Sequence, residues 1–298
     1  MKTGEVVKYI RISKRLKSKI VYADILSRPV ISKFEKGISD TTTEKFFEIL
    51  KNLNVTLEEF YYIYNGFILD VDKKFISDYA QAFYSTDKEA LKILYNEIKD
   101  KYIMTSQIKY LHYSLLTELT IQNFENGTYN NNSLEILKKY LMNCDDWTYY
   151  EIMLFTNLLD FFPLNVIDIL YKRAKKKLIY FKKIKIYRND LFSLITNILV
   201  LHIKENNVTV CRLYYSDLSK NLSKTNNLMY EKTMLLFFQE IINIMENEHY
   251  NSNKVDEIIK IFDFLELPFR KQQCIDLLKL VKYNNIGRLH QTVHNIVL

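Results

Sequence analysis

The chain has 298 residues, 48% of them hydrophobic, with only five glycines, three prolines and a net charge of +7. That length holds two domains, or one small domain and a long helical array, with enough apolar residues for a buried core. So few glycines and prolines exclude turn-rich β architectures and point to an all-α fold.

In chain order, the first expected helix runs from about Gly4 to Arg15, with Val6, Val7, Ile10 and Leu16 forming its apolar stripe. A second short helix is expected near Ile20–Leu26. A third is capped by Ser27 or Arg28, carries Pro29 in its first turn and is closed by Gly37. Ile31 and Phe34 fall on its inner side and Ile38 continues that stripe. Arg28, Pro29, Ser32, Lys33 and Lys36 fall on the outer side. A fourth helix is expected near Thr43–Leu53, with Phe46, Phe47, Ile49, Leu50 and Leu53 as core. A fifth begins in "NVTLEEFYY", with Thr56 and Glu59 as a capping box.

Charge placement adds a functional hint. Residues 1–37 hold ten Lys/Arg and three Asp/Glu, whereas the other 261 residues hold 32 of each sign. The whole excess therefore sits in one short terminal region, which suits a polyanion partner such as double-stranded DNA. Five short helices with a basic outer face on the third describe a helix-turn-helix domain over residues 1–66. There the second helix of the motif enters the major groove.

The stretch "GEVVKYIRISKRL…LSRPVISKFEKGISDTTTEKFFEILKNLNVTLEEF" resembles the N-terminal domain of the Rgg/MutR regulators, within the phage-repressor class of helix-turn-helix proteins. The resemblance implies that Arg11 and Glu35 form an internal ion pair joining the first helix to the recognition helix. The implied DNA-contact set is Lys14, Lys17, Ser18, Lys19, Arg28, Pro29, Ser32, Lys33 and Lys36. Two positions depart from the pattern. Ser18 stands where the class often has a phosphate-touching Gln, and Tyr22 stands where a small residue is usually packed.

Residues 67–298 read as successive amphipathic helices broken near "STDKEA", "NGTYNNNS", "CDDW", "FFPLN", "KENNV", "KTNNL", "NEHYNSN" and "LELPF". They pair into helical hairpins, giving a superhelical array of tetratricopeptide-like type without its consensus residues. "DDWTYYEIMLFTNLLDFF", residues 145–162, resembles the middle of the Rgg/MutR C-terminal domain. The family resemblance implies a homodimer whose repeat domain binds a short, often hydrophobic, signalling peptide. Asn123, Asn157, Asn197 and Asn243 each sit in an apolar helical run, at spacings of 34, 40 and 46 residues. Asparagine is a poor helix-interior residue, so these are candidate peptide-binding amides. The other reading is that each caps a helix or bonds a core carbonyl.

"YKRAKKKLIYFKKIKIYR", residues 171–188, holds nine Lys/Arg and no acid. It reads as a solvated helix face, as a salt-bridge partner for an acidic segment of the same dimer or, less naturally, as a DNA contact. Cys144, Cys211 and Cys274 are too dispersed for a zinc site or a disulfide framework and read as core thiols. His290 and His294 share a helix face but lack a third ligand, so a terminal surface pair is expected. No P-loop, GxGxxG, HExxH or GxSxG occurs, so no catalytic residue, metal or cofactor is expected. No apolar run approaches the roughly 18 residues that span a bilayer, and "MKTGEVVKYIRISKRLKSK" is too charged for a signal peptide. The expectation is a cytoplasmic, DNA-binding regulator under peptide control. The alternative is a repeat-type interaction protein whose helix-turn-helix no longer reads DNA, for which Tyr22 is the best support.

Overall fold

A computed structural model describes residues 2–181, 183–222, 228–247, 250–251 and 253–285. Every regular element among them is helical. Five short helices come first: α1 (Thr3–Ser13), α2 (Ser18–Tyr22), α3 (Arg28–Glu35), α4 (Thr43–Leu53) and α5 (Leu57–Tyr64). Longer ones follow: α6 (Val71–Ser85), α7 (Lys88–Thr105), α8 (Ile108–Asn126), α9 (Asn131–Asn143), α10 (Tyr149–Thr156), α11 (Leu164–Tyr180), α12 (Lys185–Lys204), α13 (Val208–Asn221), α14 (Met229–Glu246), α15 (Asn253–Phe264) and α16 (Pro268–Asn285). The chain divides into two compact units, Met1–Thr128 and Tyr129–Leu298. Of the expected features, the His290/His294 pair and most of the breaks at 224–228 and 247–253 lie outside the described residues or straddle their edge.

The five short helices close a core of their own. Val6, Val7, Ile10, Val21, Phe34 and Leu53 are among its buried members, with Leu16 and Ile31 packed on it. α1 lies against α3 and α5, and α2 against α4. Gly4 makes the first crossing possible: a Cβ there would sit 1.8 Å from the Phe34 carbonyl oxygen, so α1 and α3 touch backbone to backbone. Gly37 ends α3 at φ +65°, a conformation that costs glycine little. The chain then leaves the helical path, and Ile38, 68% exposed, does not extend the α3 stripe. Phe47 is another correction. Phe46 turns inward to meet Phe60 edge-on at 4.8 Å, and Phe47, about 100° further round α4, is half exposed. α2 starts and ends earlier than the apolar pattern indicated, because the amides of Ile25 and Leu26 both turn back onto the Tyr22 carbonyl. The Thr56/Glu59 capping box opens α5.

By compactness α6–α8 group with the five short helices. In the second unit α11 to α16 pack each on the next, and α16 also returns onto α12 and α14. Trp147 is fully buried and meets Phe155 at 5.6 Å, while Glu151 closes a capping box with Thr148 at the start of α10. Three cations of the basic stretch find partners inside this unit, while Lys172, Lys176 and Lys183 are exposed. Arg173 donates to the carbonyls of Leu141, Met142 and Cys144, capping the C-terminal end of α9. Lys175 pairs with Asp217 and Lys177 with Asp146. Cys211 and Cys274 are buried thiols and Cys144 is half-buried. Among the described residues no helix is long and apolar enough to cross a membrane, and no group of three candidate ligands gathers around a metal position.

Candidate nucleic-acid interface and inner groove

Two polar surfaces are built in different ways. The first is the outer face of α3. Arg28, Pro29, Ser32, Lys33 and Lys36 are all exposed there, as are Lys17 and Lys19, with Ser18 half-buried. No acidic side chain among the described residues pairs with Arg28, Lys33 or Lys36. Their charge is therefore available to an anion. An eight-residue helix of about 12 Å fits within one stretch of groove.

The one acid on α3 is turned away. Glu35 accepts from Arg11 through both oxygens, Nε at 2.7 Å and Nη2 at 2.9 Å. The Tyr22 hydroxyl donates to the same carboxylate at 2.7 Å, and Arg11 Nη1 also reaches the Leu16 carbonyl at 3.1 Å. Burial pushes the Glu35 carboxyl up, but the bonds from Arg11 and Tyr22 outweigh it and hold it below the ordinary carboxylate range. Tyr22, the departure from the family pattern, is thus a buried member of a three-residue network spanning α1, α2 and α3. Residue spacing alone does not reveal this, because only the α2–α3 turn carries Tyr22 over Glu35. Lys14 is also committed internally, donating to the carbonyls of Leu53 and Asn54 at the end of α4 at 2.8 and 2.9 Å. Lys2 Nζ likewise donates to the Gly37 carbonyl at 2.7 Å.

The second surface lies in the Tyr129–Leu298 unit, between α10 and α12. Asp190, Asn197 and Lys204 are spaced by seven residues, which puts them on one face of α12 with about 10.5 Å between successive positions. α10 runs alongside. At its start Tyr149 meets Tyr187 edge-on at 5.6 Å and lies beside Asp190. Past its end Asp160, within the 3-10 turn Leu159–Phe161, lies in Coulomb reach of Lys204. α10 thus meets the first turn of α12 at its own start, and the 3-10 turn that follows it comes near the far end of α12. Asp160 is solvent-exposed, with neighbouring protein crowding its carboxyl. Burial raises its carboxyl, opposed by Lys204, and burial lowers the Lys204 ammonium, opposed by Asp160. Burial also pushes Asp190 up to about 6 despite its bond from Tyr149.

The four asparagines have separate fates. Asn197 is 7% exposed and its Oδ1 is buried with no hydrogen-bond partner. Asn157 does not lie inside a helix. It is the C-cap of α10, and its Nδ2 donates to the Met153 carbonyl at 2.8 Å, leaving its oxygen open. Asn243 is internally satisfied, accepting from Gln239 at 3.0 Å and donating to the Tyr250 hydroxyl at 3.1 Å. Asn123 is half-buried on α8, in the first unit. Asn157 follows α10, and Asn197 lies on α12 between Asp190 and Lys204. Tyr149, Asp160, Asp190 and Lys204 are ionisable groups of the same two segments. The i, i+7 spacing along α12 was the signal that could have found two of these four.

Residues 91–274 match the family model for the C-terminal domain of the HTH-type transcriptional regulator Rgg. A transcriptional-regulator structure from Listeria monocytogenes EGD-e is similar over 96% of this chain and 98% of its own, at 24% identity and a TM-score of 0.83. The SHP pheromone receptor Rgg2 of Streptococcus dysgalactiae is similar over 93% and 99%, at 19% identity and a TM-score of 0.74. A bacterial peptide pheromone/receptor complex is similar over 94% and 98%, at 19% identity and a TM-score of 0.66. These three likenesses establish a shared fold. The family match covers more than half of the chain, and the chain belongs to the Rgg family of helix-turn-helix transcriptional regulators.

Proposed function

We propose that the chain is a cytoplasmic, sequence-specific DNA-binding regulator that acts as a homodimer and is controlled by a short, largely hydrophobic signalling peptide. Residues 1–66 are the DNA-reading head, and residues 67–298 bind the peptide and hold the dimer together. The chain performs no catalysis in this reading. The observation that carries it is the outer face of α3: Arg28, Lys33 and Lys36 are exposed and unpaired, while Glu35 is withdrawn into a bond network. Arg28 reads a base edge, Ser32 and Lys33 meet the backbone, and Lys17, Ser18, Lys19 and Lys36 hold phosphates around it. Lys14 stands apart, since its ammonium already caps α4. Peptide control is supported by two amides with unused acceptor oxygens, Asn157 just past α10 and Asn197 on α12. It is also supported by the pheromone-receptor description of Rgg2, the structural relative from Streptococcus dysgalactiae. Tyr22, the feature that favoured a head unable to read DNA, is packed and bonded within the helix-turn-helix, so nothing now favours that reading.

The test is binding of the full chain to its own promoter region across a salt series, against nonspecific competitor DNA. Arg28→Ala should lose about 1–3 kcal/mol of specific binding. Lys33→Ala should weaken binding to all sequences and reduce the salt slope by about one. Unchanged binding in both variants would remove α3 from the interface.

A further inference from the structure

The head changes sign along its length. Residues 38–66 hold five acids and two lysines, against the basic excess of the segment before them. On α4, Glu44, Phe47, Glu48 and Lys51 are spaced i, i+3, i+4, i+7 and share one side of the helix, with Lys45 on its flank. All five are exposed, Phe47 at 51%. None of the four charged side chains has an ion-pair partner among the described residues. Phe47 is not a lone exposed ring. Past Thr43 the surface continues into a cleft between α4 and α5, where Leu57, Tyr61 and Tyr64 are exposed as well. A polyanion gains nothing from a face whose charges cancel, and a contiguous apolar patch of this kind marks a protein contact. The order of the charges says which protein. Glu44 and Lys51 lie at the two ends of the face, about 10.5 Å apart, with Phe47 between them. A second α4 running the opposite way sets Lys51 against Glu44 at both ends, Phe47 against Phe47 and Glu48 beside Lys45. A second α4 running the same way sets like charges together. The face is therefore complementary to itself under a two-fold rotation.

We infer that the two heads of the homodimer meet through antiparallel α4 helices, Glu44 of each paired with the partner's Lys51 and Phe47 stacked at the two-fold axis. This rests on the homodimer reading above. A single helix face buries less than the roughly 800 Å² per partner of a free-standing interface, so the heads pair only because the rest of the dimer holds them close. The contact fixes the distance between the two α3 helices, and with it the half-site spacing that the dimer accepts.

The test uses the full-length protein and its own promoter region, footprinted to locate the half-sites, beside a second fragment in which one half-site is scrambled. The quantity read is the ratio of the affinities for the two fragments. Phe47→Ala, Glu44→Lys and Lys51→Glu should each lower that ratio about tenfold. Acting on DNA alone, Glu44→Lys would raise it and Lys51→Glu lower it, so a fall in both marks lost pairing. Glu44→Lys combined with Lys51→Glu rebuilds the match with the signs exchanged and should return the ratio to within about threefold of wild type. Should Phe47→Ala fail to fold, the charge exchange carries the comparison alone. Sedimentation alongside separates the inference from the reading beneath it. A dimer whose ratio is unmoved by Phe47→Ala, and unmoved or moved in opposite directions by the two reversals, overturns head pairing and leaves the homodimer standing. A dimer in which the combined exchange does no better than the single variants overturns the antiparallel match. A monomer at micromolar concentration, or a dimer that binds no promoter fragment specifically, overturns the reading above and head pairing with it.

Discussion

The five N-terminal helices and the α10–α12 groove treat buried polarity in opposite ways. In the head, the charged groups that turn inward are matched within the protein: Glu35 by Arg11 and Tyr22, and the α4 carbonyls by Lys14. Its buried orphans are two hydroxyls in the α3–α4 connection, Ser39 and Thr41. Its free charges all point outward. In the α10–α12 segment the reverse holds: the Asn197 oxygen is buried without a partner, and Asn157 keeps its oxygen open. A rigid head suits a ligand such as duplex DNA, whose shape is already set. An open inward face suits a flexible ligand that brings its own hydrogen-bonding groups.

The harshest way to break the head is at Gly4. Gly4→Ala places a methyl on the Phe34 carbonyl and should destabilise the N-terminal helices by more than about 3 kcal/mol. Chemical denaturation of the full chain should then show an early transition, with operator binding lost and the second unit still folded. A single unshifted transition would contradict the close crossing.

Next comes the matched charge. Glu35→Ala strands the Arg11 guanidinium and should cost about 2–4 kcal/mol at pH 7. Tyr22→Phe, which removes one hydroxyl, should cost about 1 kcal/mol. Because the folded carboxyl lies below its ordinary 4.5, this stabilisation is present above about pH 4.5 and is lost as pH falls through the lower folded value. The stability gap between wild type and Glu35→Ala should therefore close in acid. A gap that persisted at low pH would mean that packing, rather than charge, carries the effect.

The groove should show the opposite sign. Asp190 has its carboxyl raised from 3.8 to about 6, so its ionised form is disfavoured by folding. Its cost is absent below about pH 4, grows as pH rises and is complete above about pH 6. Asp190→Asn should accordingly raise the unfolding free energy at pH 7.5 by on the order of 1–2 kcal/mol, and with it the melting temperature, and change little at pH 4. Destabilisation at neutral pH would mean that the Tyr149 bond to the charged carboxylate outweighs burial.

The smallest effects separate two asparagines. Asn243→Ala breaks bonds with both Gln239 and Tyr250 and should lose about 1–2 kcal/mol. Asn197→Ala removes an acceptor that has no partner and should leave the empty protein within about 0.5 kcal/mol of wild type. Side-by-side urea titrations measure the difference. Equal losses would mean that Asn197 is as structurally committed as Asn243.

The all-α class, the helix-turn-helix and most of its helix ends were legible in the sequence, because each is local. Apolar spacing places Val6, Val7, Ile10, Phe34 and Leu53 inside, Gly37 stops α3, and Thr56 with Glu59 starts α5. These signals act within a turn or two of chain. Tertiary structure decided where they failed or fell silent. Phe47 and Ile38 are apolar at plausible positions but exposed, since burial depends on what lies opposite. The basic run 171–188 looked like a surface, yet Arg173, Lys175 and Lys177 find partners about 30 to 40 residues away. The four asparagines were alike in sequence, each an amide in an apolar run. Whether an amide is satisfied depends on its three-dimensional neighbours: Tyr250 and Gln239 answer Asn243, a carbonyl of its own helix half-answers Asn157, and nothing answers the Asn197 oxygen. Periodicity specifies the face on which a side chain sits, and only packing specifies what that face meets.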